Sequence, residues 1–300
     1  DGSFDATPAI LRHFARADKR VRLLFTEGSG IVAALNLAIS ESSANLLARM
    51  DADDVAHSRR LERQLAFLKA HPEVGVVASR VEHWNPDGGV RSGFRHYVEW
   101  TNALLHDRDL RMRRFVESPL AHPSVVFRKG LVEWFGGYRS GPFPEDYELW
   151  LRWFDSGVRM EKLPDNLLQW RDHDSRISRI DPRYSSAAFY SMKLGYLHRW
   201  LSKHNRFHPE VKVWGAGRRT RARAKYLQEA GSAIKGYYDL DPKKIGNPRP
   251  DLEVRPIEQV PEPGEEFIVC MVGARGAREK ALAFLEDRGH REGIDFILAA

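Results

Sequence analysis

The stretch Asn45 to Leu68, NLLARMDADDVAHSRRLERQLAFL, decides the fold because it joins an apolar run to an acidic cluster and then to a helix. The run Asn45 to Met50 has the length and character of a buried strand. Asp51, Asp53 and Asp54 follow it directly, although like charges so close together repel one another. A divalent cation bound at the end of the strand would explain this crowding.

The residues after the acids predict an amphipathic helix. Leu61, Leu65 and Leu68 recur at helical spacing and predict its buried face. A single aspartate before such a helix could serve only as its N-cap. Three acids exceed that need, so we favour a metal site over capping alone.

Strand and helix patterns alternate on both sides of this stretch. Val21 to Phe25 and Val74 to Ser79 are apolar runs of strand length, and Ile31 to Ile39 has a helical pattern. The alternation predicts an α/β fold with a mostly parallel sheet flanked by helices. In such sheets ligands bind beyond the carboxyl ends of the strands, which is where the acids lie.

The pattern is weak between Glu82 and Glu117, which contains a turn signal at Asn85 to Gly89 and a basic run at Arg108 to Arg114. We interpret the basic run as a solvated helix face in preference to a phosphate-binding one. Further along, the sequence predicts a strand over Ser124 to Phe127, a helix after Pro144 with Trp150, Trp153 and Phe154 on one face, and a helix over Ser185 to Lys203.

Composition excludes several classes of protein. The chain has 300 residues, of which 42% are hydrophobic and 29% charged, which is typical of a globular protein with two domains. No apolar run is long enough to span a membrane. The single cysteine, Cys270, lies in an apolar run, which excludes an intramolecular disulfide and favours a reducing, cytoplasmic setting. The net charge of +6 fits nucleic acid, an anionic membrane surface or a phosphorylated small molecule, and charge alone does not choose between them, although we expect no nucleic acid partner.

Several ordered motifs resemble one family. Asp1 to Ile39, with its DGS turn, and Leu46 to Asp54, with its D-x-D signature, resemble glycosyltransferase family 2, inverting enzymes of the GT-A fold. His122 to Trp153 and Leu167 to Arg179 agree with later stretches of the family in the expected order. The resemblance covers residues 1 to 180. It implies a GT-A-type sheet and transfer of a sugar, of hexosyltransferase type, from a nucleotide-diphosphate sugar to an acceptor hydroxyl.

The resemblance also implies roles for individual residues. Asp53 would bind Mg²⁺ or Mn²⁺, Asp51 would face the ribose or share the metal, and His173 would complete the metal site. Asp146 would be the catalytic base, with Glu145 beside it in the catalytic pair. The residues expected to bind the nucleotide sugar are Asp1, Gly30, Asn36, Asp51 and Arg171.

The family further implies a setting for the reaction. We expect a role in cell-surface polysaccharide or glycan assembly, with a glycan or lipid-linked acceptor and peripheral contact with the inner face of the membrane. Two departures bear on activity. The family's first strand, first helix and second strand, which normally precede the DGS turn, do not occur in this chain, and Leu35 stands where many members have arginine. Both departures put the activity of the chain by itself in question.

The pattern restarts near residue 210 and predicts a second, smaller α/β domain. Gly215 and Gly217 follow a predicted strand, but Thr220 occupies the place of the third glycine in a dinucleotide-binding fingerprint. We therefore expect a Rossmann-like accessory domain. The predicted domains are 1–182, catalytic; 183–209, a helical linker; and 210–300, accessory.

Two other functions stay open at this stage. Asp51 to Val55 fits the D-x-D-x-[TV] signature of haloacid-dehalogenase-type phosphatases, in which Asp51 would be the nucleophile and Asp53 the acid. That family also needs a later Gly-Asp pair, which the sequence lacks. The third hypothesis is a non-catalytic protein that binds nucleotide sugars.

Overall fold

The computed structural model describes residues 1–85, 92–245, 253–274 and 276–300. Its strands build two five-stranded sheets. Along the chain the elements are α1 (Thr7–Ala17), α2 (Ile31–Glu41), β1 (Leu46–Ala48), β2 (Val55–Ala56), α3 (Arg60–Ala70), β3 (Val74–Trp84), α4 (Ser92–Ala103), α5 (Asp107–Arg113), β4 (Val126–Arg128), α6 (Gly130–Phe135), α7 (Glu145–Asp155), β5 (Arg159–Arg171), α8 (Ile177–Ile180), α9 (Ser186–His204), β6 (Glu210–Trp214), α10 (Arg218–Glu229), β7 (Ala233–Asp239), α11 (Pro242–Ile245), β8 (Val254–Pro256), β9 (Ile268–Cys270), α12 (Ala277–Asp287) and β10 (Phe296–Leu298).

The first sheet carries the acidic cluster. Its strand order is β1-β4-β3-β5-β2. The central pairing of β3 with β5 is parallel and the longest, and the three shorter pairings are antiparallel. Helices flank this sheet, so the α/β prediction is confirmed. β1 ends just before Asp51, as the apolar run indicated.

The second sheet is parallel throughout, with the order β10-β9-β6-β7-β8. Its first strand in the chain, β6, therefore lies in the middle, which is the doubly wound arrangement of Rossmann-like domains. Gly215 has a φ of 102°, and a side chain there would meet Val272 at 2.7 Å. Glycine is needed at this turn for both reasons. The Rossmann-like expectation is confirmed for the topology.

One hydrophobic core joins α7 of the first half to the second sheet. Helix α9 contributes Leu194, Leu197 and Trp200, which are buried against Tyr147 of α7 and Val213 of β6. The aromatic residues of this helix therefore pack between the two halves of the molecule. This packing gives no support to membrane contact through α9. The domain boundaries at residues 182 and 209 remain predictions.

The buried face of α3 differs from the expected one. Leu61 and Leu65 are exposed, whereas Arg60 and Gln64 are buried beside Leu68. The prediction failed because it assumed that apolar residues mark the inner face. Here the polar pair is needed to satisfy backbone carbonyl groups beneath the helix. Gln64 Nε2 donates to the carbonyl oxygens of Val77 at 3.0 Å and Ser124 at 2.8 Å.

Two further expectations were wrong. Val21 to Phe25 forms no strand, and Leu24 and Phe25 stay exposed, because no other described segment pairs with this run. The basic run Arg108 to Arg114 does not form a solvated helix face as a whole, and it does not line the cleft described below. Arg113 Nη1 contacts Glu292 of the second half at 2.5 Å, and Arg114 is buried.

Among the described helices, none combines the length and the apolar character that a membrane span requires. Cys270 is a buried free thiol in β9, as the sequence indicated. Apart from Asn85, the turn predicted at Asn85 to Gly89 lies outside the described residues.

Candidate active site

The loop that carries Asp51, Asp53 and Asp54, here called the acidic loop, is held in place by hydrogen bonds around the end of β1. The Arg49 amide donates to the Val125 carbonyl at 3.0 Å, and Arg60 Nη2 donates to the Arg49 carbonyl at 2.7 Å. The buried side chain of Arg60 thus ties α3 to the last residues before the acids. This arrangement explains why a charged residue occupies the inner face of α3.

The three aspartates converge. Asp51, Asp53 and Asp54 each offer a carboxylate oxygen, and these oxygens lie within 4.8 Å of one another. Asp51 forms an ion pair with Arg49, and Asp53 Oδ2 lies 2.8 Å from His173 Nε2. The structure therefore brings His173 to the cluster across 120 positions of sequence.

Asp54 is the most buried of the three acids. Its Oδ1 accepts the Arg171 amide at 2.9 Å, while its Oδ2 is buried and has no hydrogen-bond partner in the described part of the chain. Burial is the main cause that raises the pKa of Asp54 to about 6. Helix α3 begins at Arg60, and no side chain caps it, so the capping explanation of the acids does not hold.

These residues fit a divalent cation. Carboxylate oxygens are the ligands that Mg²⁺ and Mn²⁺ prefer. A buried carboxylate oxygen without a partner, such as Asp54 Oδ2, is a costly feature unless something positive approaches it. The donor set is thus suited to a metal ion.

A cleft of about 610 Å³ connects the cluster to the start of α7. Asp51, Asp53 and His173 line it, and so do Glu145 and Asp146. Two acidic groups that are far apart in the sequence therefore share one cavity. Had they lain on opposite sides of the sheet, no common reaction centre could be built from them.

Asp146 is the most perturbed acid in the cleft. Its pKa is raised to about 7, first by burial and second by the neighbouring charge of Glu145. The Tyr147 amide, which donates to Asp146 Oδ1 at 2.8 Å, and the charge of Arg49 act in the opposite direction and are outweighed.

Glu145 is held by a tyrosine. The Tyr184 hydroxyl lies 2.9 Å and 2.8 Å from its two carboxylate oxygens, and Arg183 Nη1 lies 3.9 Å away. The carboxylate of Glu145 is 1% exposed. It is therefore a fixed charge next to Asp146 and has little freedom to approach a substrate.

Several residues expected to bind the nucleotide sugar do not line this cleft. Asp1 accepts hydrogen bonds from Thr26 Oγ1 at 2.7 Å and from the Gly30 amide at 3.0 Å. Asn36 uses both ends of its amide on the backbone of Tyr138, at 2.9 Å and 3.0 Å. The Asp1 side chain and the Gly30 amide thus stabilise one turn, and the Asn36 side chain stabilises the backbone at Tyr138. Their roles toward the donor remain predictions.

Three cleft residues were missed by the sequence reasoning: Arg49, Glu117 and Arg176. Arg49 carried a signal, since a cation inside an otherwise apolar strand calls for a specific partner. Glu117 and Arg176 carried none, because only the fold brings them to the cavity. His122 also lines the cleft, and its Nε2 lies 2.6 Å from the Tyr138 hydroxyl. Burial lowers the pKa of His122, so its ring is neutral.

The comparisons agree with the motifs. The model of the family described as Glycosyl transferase family 2 matches residues 1–135. The chain is 29% identical over 185 residues to the O-antigen biosynthesis glycosyltransferase WbnJ of Escherichia coli, covering 61% of this chain and 69% of that protein. It is 31% identical over 167 residues to the amylovoran biosynthesis glycosyltransferase AmsE of Erwinia amylovora, covering 56% of this chain and 60% of that protein.

The name of a third relative states its substrates. The UDP-Gal:alpha-D-GlcNAc-diphosphoundecaprenol beta-1,3-galactosyltransferase of Escherichia coli is 28% identical over 142 residues, which cover 47% of this chain and 49% of that protein. Among solved structures, the mannosyltransferase PcManGT from Pyrobaculum calidifontis, in complex with GDP-Man and Mn²⁺, matches with a TM-score of 0.41 and 19% identity. That match covers 76% of this chain and 61% of the other.

Proposed function

This chain belongs to glycosyltransferase family 2, and from that premise we propose that the protein transfers a sugar from a nucleotide-diphosphate donor to an acceptor hydroxyl with inversion. One observation carries the proposal: Asp51 and Asp53 of the acidic cluster at the end of β1 line the same cleft as the half-buried Asp146. The first can receive the charged leaving group, and the second can receive a proton. Both tasks belong to this reaction.

The proposed role of Asp146 is that of the general base. The acceptor oxygen forms a bond to the anomeric carbon while the bond from that carbon to the diphosphate oxygen breaks. The hydroxyl proton passes to the Asp146 carboxylate, and the nucleoside diphosphate leaves as an anion. A base with a pKa of about 7 is well matched to this task near neutral pH.

The residues that would hold the metal are Asp53, Asp51 and His173, with Asp54 behind them. A divalent ion bound there would supply the positive charge that stabilises a departing diphosphate. Arg49 keeps the Asp51 carboxylate in place through its ion pair. His173 does the same for Asp53 at 2.8 Å, while its Nδ1 lies 2.9 Å from Ser175 Oγ. The proposed ion is Mg²⁺ or Mn²⁺.

We propose a glycan or lipid-linked acceptor in cell-surface polysaccharide assembly. The support comes from the relatives, two of which are named for O-antigen and amylovoran biosynthesis and one for a diphosphoundecaprenol-linked substrate. A lipid-linked acceptor would bring the protein to the inner face of a membrane. The relatives reported above carry glycosyltransferase names, so the phosphatase hypothesis is left without support.

Isothermal titration of the full-length protein with UDP and Mn²⁺ tests the metal site. Wild type should bind UDP only with Mn²⁺, and Asp53→Ala should lose that metal-dependent binding. Asp165→Ala is a matched control, since Asp165 pairs with Arg63 outside the cleft. Metal-dependent binding that persists in Asp53→Ala would contradict the site. A screen of donor sugars for turnover then separates an enzyme from a protein that only binds nucleotide sugars.

A further inference from the structure

We propose that Arg176 binds the diphosphate of the nucleotide-sugar donor, a task that the sequence motifs assign to Arg171. This inference rests on the proposed function and adds a specific residue to it. It follows from the different surroundings of the two arginines, which lie at the end of β5 and just before α8.

Arg171 is turned away from the cleft. Its guanidinium lies 5.5 Å from the ring of Trp84, and it does not line the cavity. Its backbone amide is the group that touches the site, by donating to Asp54 at 2.9 Å. The main chain of Arg171 thus supports the acidic cluster, while its side chain is out of reach of a ligand there.

Arg176 lines the cleft together with Asp53 and His173. Its guanidinium carbon lies 4.4 Å from the ring of Phe94 and 4.6 Å from the ring of Trp170. Its side chain is only 14% exposed. Two aromatic rings therefore fix the plane of the cation before any ligand arrives, which reduces the entropy lost on binding.

The charge of Arg176 is only weakly compensated. The nearest carboxylate oxygen, Asp172 Oδ1, lies 4.0 Å from its Nη1. Asp172 is already engaged by Arg179 and by His83 at 3.4 Å. Within the described ranges Arg176 donates no hydrogen bond, so its N–H groups remain for an anion. A planar guanidinium can bind phosphate oxygens through two parallel hydrogen bonds.

The position of Arg176 suits a diphosphate in particular. It follows His173 by three residues, on the same loop, and lines the cavity that Asp51 and Asp53 also line. An anion in this cleft would be repelled by the acids alone. A fixed cation on the opposite side of the anion, together with a metal ion on the aspartates, would place positive charge on both sides of it.

Isothermal titration with UDP, GDP and dTDP, each with Mn²⁺, tests this role on the full-length protein. Arg176→Met keeps the apolar stem against Phe94 and Trp170 but removes the charge. We expect it to weaken binding of whichever nucleotide wild type prefers by roughly tenfold or more. Binding of the matching nucleoside should change less than twofold. Arg176→Lys should lose part of the affinity because it keeps the charge without the planar fork.

Arg171→Met is the matched control and should bind within about threefold of wild type. Thermal melting of each variant identifies any loss of folding, and Arg176→Lys keeps the test valid if Arg176→Met unfolds. Equal nucleotide affinity in wild type and Arg176→Met would overturn the role of Arg176 but leave the proposed function intact. A larger loss in Arg171→Met would return the role to Arg171. Wild type that binds none of the three nucleotides would overturn the proposed function and this inference with it.

Discussion

At the scale of single residues, the proposed chemistry depends on Asp146 and its surroundings. Asp146 is half-buried at the first turn of α7, beside the charge of Glu145. A helix N-terminus ordinarily stabilises a carboxylate. Here burial and a like charge prevail, and the result is an acid that can both accept and hold a proton near neutral pH.

Asp146→Asn should abolish turnover but preserve donor binding. Asparagine has nearly the same shape but cannot accept the hydroxyl proton, so we expect a loss of about 10²- to 10⁴-fold in kcat. UDP binding with Mn²⁺ should stay within about twofold, as measured by titration. Asp155→Asn, at the other end of α7 and paired with Lys203, is the control and should keep full turnover. Unchanged turnover in Asp146→Asn would remove Asp146 from the mechanism.

The same residue predicts the pH profile. Turnover requires ionised Asp146, so kcat should fall as pH drops through about 7. Glu145→Gln removes the like charge that raises the pKa of Asp146, and the acid limb of the profile should move to lower pH. The glutamine keeps a hydrogen-bond acceptor for Tyr184. An acid limb that stays in place, or moves to higher pH, would contradict the coupling of the two acids.

At the scale of elements, α3 shows how a helix can be buried through polar residues. Arg60 Nε donates to Gln64 Oε1 at 3.0 Å, and both side chains bond to backbone carbonyl groups below the helix. Together they link α3 to the carboxyl end of β1, where the acidic loop starts. Of the three leucines that mark the inner face by pattern, Leu61 and Leu65 lie outside and only Leu68 is buried.

Gln64→Leu should therefore destabilise the protein more than a change at an apolar position of the same helix. It removes the donors to the Val77 and Ser124 carbonyl groups, and a buried unsatisfied group costs about 1–3 kcal/mol. Leu61→Ala, at a site 51% exposed, should change the free energy of unfolding by no more than about 0.5 kcal/mol. Urea unfolding of both variants measures the difference. A costlier Leu61→Ala would show that the leucine face is the buried one.

Local patterns predicted the elements well. The strand before Asp51, the helix that starts at Glu145 and α9 all lie within a few residues of the expected positions. Val21 to Phe25 failed, because a strand needs a partner and an apolar run does not supply one. The inner face of α3 failed because the needs of distant carbonyl groups cannot be read from its own residues.

At the scale of the whole molecule, one core connects α7 of the first half to the second sheet. Trp200 lies 6.0 Å from Phe115 and 6.1 Å from Phe267, measured between ring centroids. These two rings belong to different halves of the chain. The second half is therefore packed onto α9, the helix that contains Trp200.

Trp200→Ala should separate the two halves thermodynamically. Loss of this buried ring should cost about 3–5 kcal/mol, and calorimetry should show two unfolding transitions that are further apart than in wild type. Trp134→Ala, at a position 74% exposed, is the control and should leave the profile unchanged. A calorimetric profile of Trp200→Ala with the same spacing of transitions as wild type would mean that the two halves do not depend on this contact.

The sequence by itself determined the resemblance to the family, the α/β class, the acidic strand end and the place of Asp146, the proposed base, because each of these depends on neighbouring residues. The tertiary structure alone decided which arginine faces the cleft, that His173 meets Asp53, and which influence sets the pKa of Asp146. Burial and the distance between groups more than 100 residues apart, such as Asp53 and His173, control these properties. Such distances exist only once the chain has folded.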